Sequence, residues 1–194
     1  MQDAVKLLSG IDTVILNHIL SHYERWTAES DLTTVPKQFA VNTISYINIA
    51  TLCLPELQRT GGKIIVSSSF AGVVPVPRVA PYSATKHALH GFFDSLRQDL
   101  YLEGHHNISI TVCIIGPVDT PNARKNTENA TVSKLTWYPV DECALTIIKG
   151  GSLRRRQIYY PFFLSYLEMV YTFFPSYIED IIQILSYEKK IYNY

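Results

Sequence analysis

The chain has 194 residues, no net formal charge, and 47% hydrophobic against 18% charged residues. This suits one domain with a buried core and excludes a disordered chain. The balanced charge also removes the electrostatic case for nucleic acid. In chain order, residues 1–17 carry no long apolar run and read as neither a signal peptide nor a membrane anchor. Asp12–Leu16, "DTVIL", reads as a buried strand, and 21–34 as an irregular connection. Pro36 opens a helix that runs to about Arg59 and holds Pro55 near its end; Gly61 and Gly62 stop it. "KIIVSSS" (63–69) is a second strand, followed by a Gly/Pro-rich loop at 70–81. A helix follows over 82–103, then a third strand at 108–115, "ISITVCII". A polar loop spans 116–136, a helix 140–149 and a fourth strand 157–161.

Strands and helices therefore alternate, and the strands are continuous apolar runs. That pattern predicts a parallel sheet covered by helices on both faces. Ligands of such sheets bind beyond the carboxyl ends of the strands. The residues there are Asn17 after the first strand, Ser67–Ser69 after the second, and "GPVDTP" (116–121) after the third. Tyr82 and Lys86 open the helix that leaves the second loop. Four residues apart, they share one helix face. With 13 tyrosines in the chain, that spacing alone is weak. Together with the strand-end residues it points to proton transfer, because a nearby cation favours phenolate.

Asn17, Asn42, Ser69, Tyr82 and Lys86, in that order, resemble the catalytic set of the short-chain dehydrogenase/reductase family. "ILNHI", "VNTISY", "VSSSFAGVVPVPRVAPYSATKHALHGFFDSLRQDL", "NISITVCIIGPVDT" and "ECALTIIKGG" resemble its 11β-hydroxysteroid dehydrogenase type 1 branch. The likeness covers about residues 9–160. It implies a Rossmann-type, doubly wound parallel sheet and interconversion of a ketone and an alcohol on a lipophilic, steroid-like substrate with NADP(H). By the same resemblance Tyr82 is the acid/base, Lys86 lowers its pKa and bonds the nicotinamide ribose, and Ser69 bonds the substrate oxygen. Asn42 holds a relay water. Asn17, His18 and Ile19 line the cofactor cleft, and Val118, Asp119, Thr120, Pro121 and Asn122 contact the nicotinamide side.

The family's glycine-rich phosphate loop has no counterpart here, since no G-x-x-x-G-x-G occurs. The first strand corresponds to the family's fourth, so about 90 residues of βα units are expected to be lacking. Residues 1–160 then form a partial dinucleotide-binding domain and 161–194 a substrate- or membrane-contacting tail. The rival reading is a truncated, non-catalytic relative that binds or dimerises with full-length subunits. The resemblance implies a homodimer through helices 36–59 and 82–103 and an endoplasmic reticulum membrane location; the lack of a signal anchor leaves a cytoplasmic one as the alternative. The tail segment 161–178 is apolar and aromatic, with Ser165, Glu168 and Thr172 forming a polar stripe. The 13 residues between Pro161 and Pro175 are too short to span a bilayer as a helix, and they suit either packing on the body or a second subunit, or a membrane interface, which the resemblance favours.

Four smaller readings complete the sequence. Cys53, Cys113 and Cys143 are expected to be buried thiols rather than a disulfide or zinc set. Arg154-Arg155-Arg156 is expected to be a solvated turn. His87 and His90 lack a third ligand at metal spacing, so no metal is expected. The sequons at Asn107 and Asn129 say little alone.

Overall fold

The continuous apolar runs do form one sheet, because Ile and Val suit a ribbon buried on both sides. In the computed structural model, which describes residues 2–127 and 136–187, the strands are β1 (Thr13–Leu16), β2 (Lys63–Ser67), β3 (Ser109–Ile115) and β4 (Gln157–Tyr160). All pair in parallel in the order β1-β2-β3-β4. Leu16 stands opposite Val66, Ser67 opposite Cys113, and Ile115 opposite Tyr160. The residues after β1, β2 and β3 therefore emerge along one edge.

Helices α1 (Gln2–Leu8), α2 (Thr34–Phe39), α3 (Ser45–Thr60), α4 (Ala80–Leu102), α5 (Pro121–Thr127), α6 (Val140–Ser152), α7 (Leu164–Phe173) and α8 (Pro175–Tyr187) complete the chain. Ile64 and Val66 share a core with Tyr46, Ala50 and Leu57 from α3 and with Leu89 and Phe93 from α4. Ile65, pointing the other way, meets α6. A Cβ at Gly151 would lie 2.1 Å from Ile65 Cδ1, and one at Gly150 2.4 Å from Ile158 Cγ2. Only glycine lets α6 approach the sheet this closely. Both faces of β2 and β3 are thus covered, as the strand composition predicts; β1, expected to be buried, lies at the sheet edge and leaves Ile15 half exposed.

The sequence reading departs from the structure in several places. α1 was not expected. The single helix over 36–59 starts at Thr34 and is interrupted by a π-helical turn, Ala40–Ile44, before α3 continues through Pro55. The loop expected over 116–136 contains α5; Thr120 Oγ1 accepts from Ala123 N at its start, 3.1 Å away. Residues 128–135, with the Asn129 sequon, lie outside the described residues. The three cysteines are free and buried, as expected.

The basic run is an exposed turn, as expected, but Arg154 also makes fixed contacts. Its backbone is left-handed (φ 53°). That turns the side chain back onto the chain, where Nη1 donates to Asn107 O (2.6 Å) and Nη2 to Gly61 O (2.7 Å). The guanidinium thereby ties the end of α3 to the turn before β3. Periodicity carries no signal for a contact across more than ninety residues. Arg154→Ala keeps the backbone strain and loses two charge-assisted bonds, so urea unfolding should show a loss of about 2 kcal/mol. Arg155→Ala, at an exposed neighbour, should stay within about 0.5 kcal/mol.

Candidate active site

Four segments converge at the carboxyl edge of the sheet. The first is the chain leaving β1. Asn17 and His18 are exposed there, and the Tyr46 hydroxyl donates to His18 O at 2.7 Å. His18 Nε2 lies 2.5 Å from Ser45 Oγ. The second is the π-helical turn. Its widened ring carries Asn42, which is fully buried. Asn42 Oδ1 accepts from Leu20 N (2.7 Å), and Nδ2 donates to Leu20 O (2.7 Å) and Thr85 Oγ1 (3.2 Å). The amide pins the chain after β1 against α4. Both its N–H donors are used, which leaves only the second lone pair of Oδ1 for a water.

The third segment runs from β2 into a 3₁₀ turn at Phe70–Gly72, with Ser69 as its cap: Ser69 Oγ accepts from Ala71 N at 3.2 Å. The fourth is the first turn of α4, where Pro81 at the helix start fits the residue type favoured there. The Ser83 hydroxyl donates to Ala71 O and binds the two segments together.

Between them lie Tyr82 and Lys86. Lys86 is 1% exposed, and its Nζ donates to Ser67 O at 2.8 Å. The ammonium sits 5.2 Å from the Tyr46 ring centroid and 5.8 Å from that of Tyr82. The Tyr82 phenol bonds the Ser69 side chain. Ser69, Tyr82 and Lys86 are therefore neighbours, while Asn42 stands behind them as a clamp.

The electrostatics differ from the expectation. Burial pushes the Tyr82 phenol up to about 12; the Ser69 hydrogen bond opposes this, and the nearby Tyr23 adds to it. Burial likewise brings the Lys86 ammonium down to about 7. The lowering of the phenol by Lys86 is not realised in this arrangement. Desolvation disfavours both charged forms, and neither group's shift draws on the other.

The segment Val118–Asn122 follows β3 on the same edge. Val118 bridges to Tyr138, with Asp119 N donating to Tyr138 O at 2.9 Å. Asp119 is paired with Arg124 at 2.6 Å, and Arg124 stacks on Trp137. Asn122 lies in the first turn of α5. His87 and His90 face different partners: His87 Nδ1 is 2.9 Å from Ser83 O, and His90 Nε2 is 2.9 Å from Ser68 Oγ. Sequence reasoning missed Tyr46, whose ring and hydroxyl serve both Lys86 and His18. Its position four residues after Asn42 was the available signal.

A parallel sheet with helices on both faces is a Rossmann-like fold. The chain belongs to the short chain dehydrogenase family, whose model matches residues 1–131. It is 41% identical over 166 residues to the "Hydroxysteroid 11-beta-dehydrogenase 1-like protein" of Gallus gallus, covering 85% of this chain and 56% of that protein. The protein of the same name from Xenopus tropicalis is 37% identical over 84% of this chain and 55% of its own length. The chain thus spans about half the length of the curated relatives it matches. In fold it is similar to a short chain dehydrogenase from Burkholderia cenocepacia J2315 in complex with NADP. That TM-score is 0.78 at 19% identity, over 93% of this chain and 72% of that one. A gluconate 5-dehydrogenase from the same organism, in complex with NADP and tartrate, has a TM-score of 0.70 at 20% identity over 81% and 66%.

Proposed function

We propose that this chain carries the proton-transfer half of a ketone/alcohol oxidoreductase acting on a lipophilic, steroid-like substrate with NADP(H). The observation that carries the reading is the Ser69–Tyr82–Lys86 cluster at the carboxyl edge of the sheet. The names of the relatives support the substrate class, and the NADP-bound neighbours support the cofactor.

The residues present fit the nicotinamide-ribose end of such a cofactor. Ser67 Oγ is buried without a partner. Lys86 uses one of its three donors on Ser67 O. A vicinal diol is the kind of group that satisfies both, and buried polar groups need satisfying. Lys86 would hold the ribose, and Asn17, His18, Ile19 and Val118–Asn122 would flank the ring. When bound, the nicotinamide supplies the hydride.

The chain's own residues supply the proton. A phenol held up at about 12 remains protonated at neutral pH. It is therefore an acid, suited to protonating an alkoxide as it forms from a ketone. Ser69, bonded to the same phenol, aims a hydroxyl at that oxygen. The site as folded thus favours ketone reduction. Reduction should be flat with pH from 6 to 9. Alcohol oxidation needs the phenolate and should rise about tenfold per pH unit over that range. Initial rates in both directions across pH check this; parallel profiles would contradict it.

The first experiment is NADPH titration by fluorescence on the purified chain, followed by NADPH consumption with a steroid ketone. Saturable binding with turnover supports the reading. No binding leaves the rival, a partner that dimerises with longer subunits. The outer ends of α3 and α4 support pairing of copies through these helices, since Leu102 is 83% exposed beside a depression of about 380 Å³ that Leu54, Gln58 and Leu96 also line.

The tail fits a membrane interface. Of the expected polar stripe on α7, Glu168 turns inward and accepts from the Tyr159 hydroxyl on β4 at 2.6 Å, while Thr172 is exposed. The apolar side faces out, with Phe162, Tyr166, Met169 and Phe173 all more than half exposed. No helix among the described residues is long and apolar enough to cross a membrane. An aromatic face of this kind suits the plane of the lipid headgroups, which agrees with an endoplasmic reticulum location. Phe162→Ser with Phe173→Ser should reduce co-flotation with phosphatidylcholine vesicles about tenfold and leave the thermal midpoint unchanged.

A further inference from the structure

We propose that His90 is a positioning residue for this site: through Ser68 it locks the end of β2 onto α4, and so fixes both the Ser69 turn and the Lys86 ammonium. The inference rests on the reading above that Ser69, Tyr82 and Lys86 are the reacting set.

His90 lies one turn after Lys86 on α4. Lys86 Nζ donates to Ser67 O at 2.8 Å, and His90 Nε2 is 2.9 Å from Ser68 Oγ. Two adjacent residues of the chain are thus held by two successive turns of one helix. Ser68 is 4% exposed and its N–H donates to Cys113 O at 2.8 Å, so its backbone belongs to the sheet. Only its side-chain rotamer remains to be set, and the imidazole sets it.

The next residues depend on that rotamer. A Cβ at Gly72 would lie 3.0 Å from Ser68 Oγ and 2.9 Å from Lys86 Cβ. The 3₁₀ turn is therefore seated on the Ser68 hydroxyl and the base of Lys86 together. Ser69 caps the same turn and accepts from Gly72 N at 2.8 Å through its carbonyl. A Ser68 side chain free to rotate would push on Gly72, and Ser69 would move with it.

The imidazole suits this work because it stays neutral. Burial brings it down to about 4, Asp94 opposes this, and His87, Lys86 and Arg97 add to it; all four lie on α4. Across the contact, β2 offers the uncharged Ser68. A neutral ring bonds the hydroxyl without placing a second cation beside Lys86.

The test uses the full chain and competitive acylation of lysines, read residue by residue by mass spectrometry. His90→Leu keeps bulk and removes the bond; His90→Gln restores a hydrogen-bonding group at similar reach. In His90→Leu the labelling of Lys86 should rise about tenfold relative to the exposed Lys37 and Lys149, and His90→Gln should return it to the wild-type rate. In turnover with a steroid ketone, His90→Leu should lower kcat about tenfold at constant KM, again rescued by Gln. Ser68→Ala removes the same bond and serves if His90→Leu fails to fold. Unchanged Lys86 labelling in His90→Leu or Ser68→Ala, or a Gln variant as impaired as Leu, overturns the proposal. A wild-type chain without turnover would count against the proposed function alone, because the labelling comparison still decides whether His90 locks the strand end.

Discussion

Tyr82→Phe is expected to cut ketone reduction by a factor on the order of 10²–10⁴ while leaving the fold intact. The reason lies in what surrounds the phenol. Its hydroxyl bonds Ser69, and burial keeps it protonated at neutral pH. Lys86 donates to Ser67 O, and its Nζ lies over the Tyr82 ring, 5.8 Å from the centroid. His90 is turned to Ser68 and is neutral. Among the described residues around Ser69, Tyr82 is thus the acid best placed to deliver a proton there. Phenylalanine keeps the ring in the same packing and removes one hydrogen bond, a cost of about 1 kcal/mol. NADPH consumption gives kcat, thermal unfolding reports the fold, and NADPH fluorescence separates binding from chemistry. The expected variant binds NADPH as the wild type does and turns over poorly. Turnover within tenfold of wild type would remove Tyr82 as the acid.

Much of this architecture was legible in the sequence, and the reason is periodicity. "KIIVS" and "SITVCII" are unbroken apolar runs and became the two central strands. The ends of these runs alone place Ser67–Ser69 and Gly116–Thr120 along the sheet edge. The Tyr82–Lys86 spacing placed both side chains on one helical face. What stayed hidden depended on contacts without a period. The π-helical turn adds one residue to a helical repeat that otherwise continues, and the Asn42 bonds to Leu20 that go with it are tertiary. Arg154 reaches two segments remote in sequence. Glu168 bonds Tyr159 of β4, a contact no periodicity shows, while the aromatic side of α7 faces outward. The electrostatics were misread for a related reason. Charge pairing can be inferred from neighbours in sequence, but desolvation follows from burial, which only the packed core supplies.

Lys86→Met provides the strongest test of that core. The ammonium's ordinary value is 10.5 and burial brings it to about 7 in the folded chain. Between those values the unfolded chain holds a proton that the folded chain has released. Folded-state stability therefore falls as pH drops from about 10.5 toward 7, by about 1.4 kcal/mol per pH unit from this one group. Below the folded value both states are charged and the contribution levels off. Methionine is of similar length, suits the apolar surroundings and does not titrate. The variant leaves Ser67 O without its partner, a constant cost of about 1–3 kcal/mol. At pH 10 it should be the less stable of the two proteins. Toward pH 7 the difference should shrink and then reverse, as the wild type loses the stability the variant keeps. Urea unfolding of both proteins at several pH values gives the comparison directly. Curves that run parallel from pH 7 to 10 would mean that Lys86 is charged in the folded chain at no unusual cost. That outcome would also undo the account of why Lys86 leaves the phenol protonated. The reversal, if seen, carries a functional consequence: the site keeps a buried amine that destabilises the free chain near neutral pH, and methionine at the same position should abolish turnover for want of a donor to the ribose.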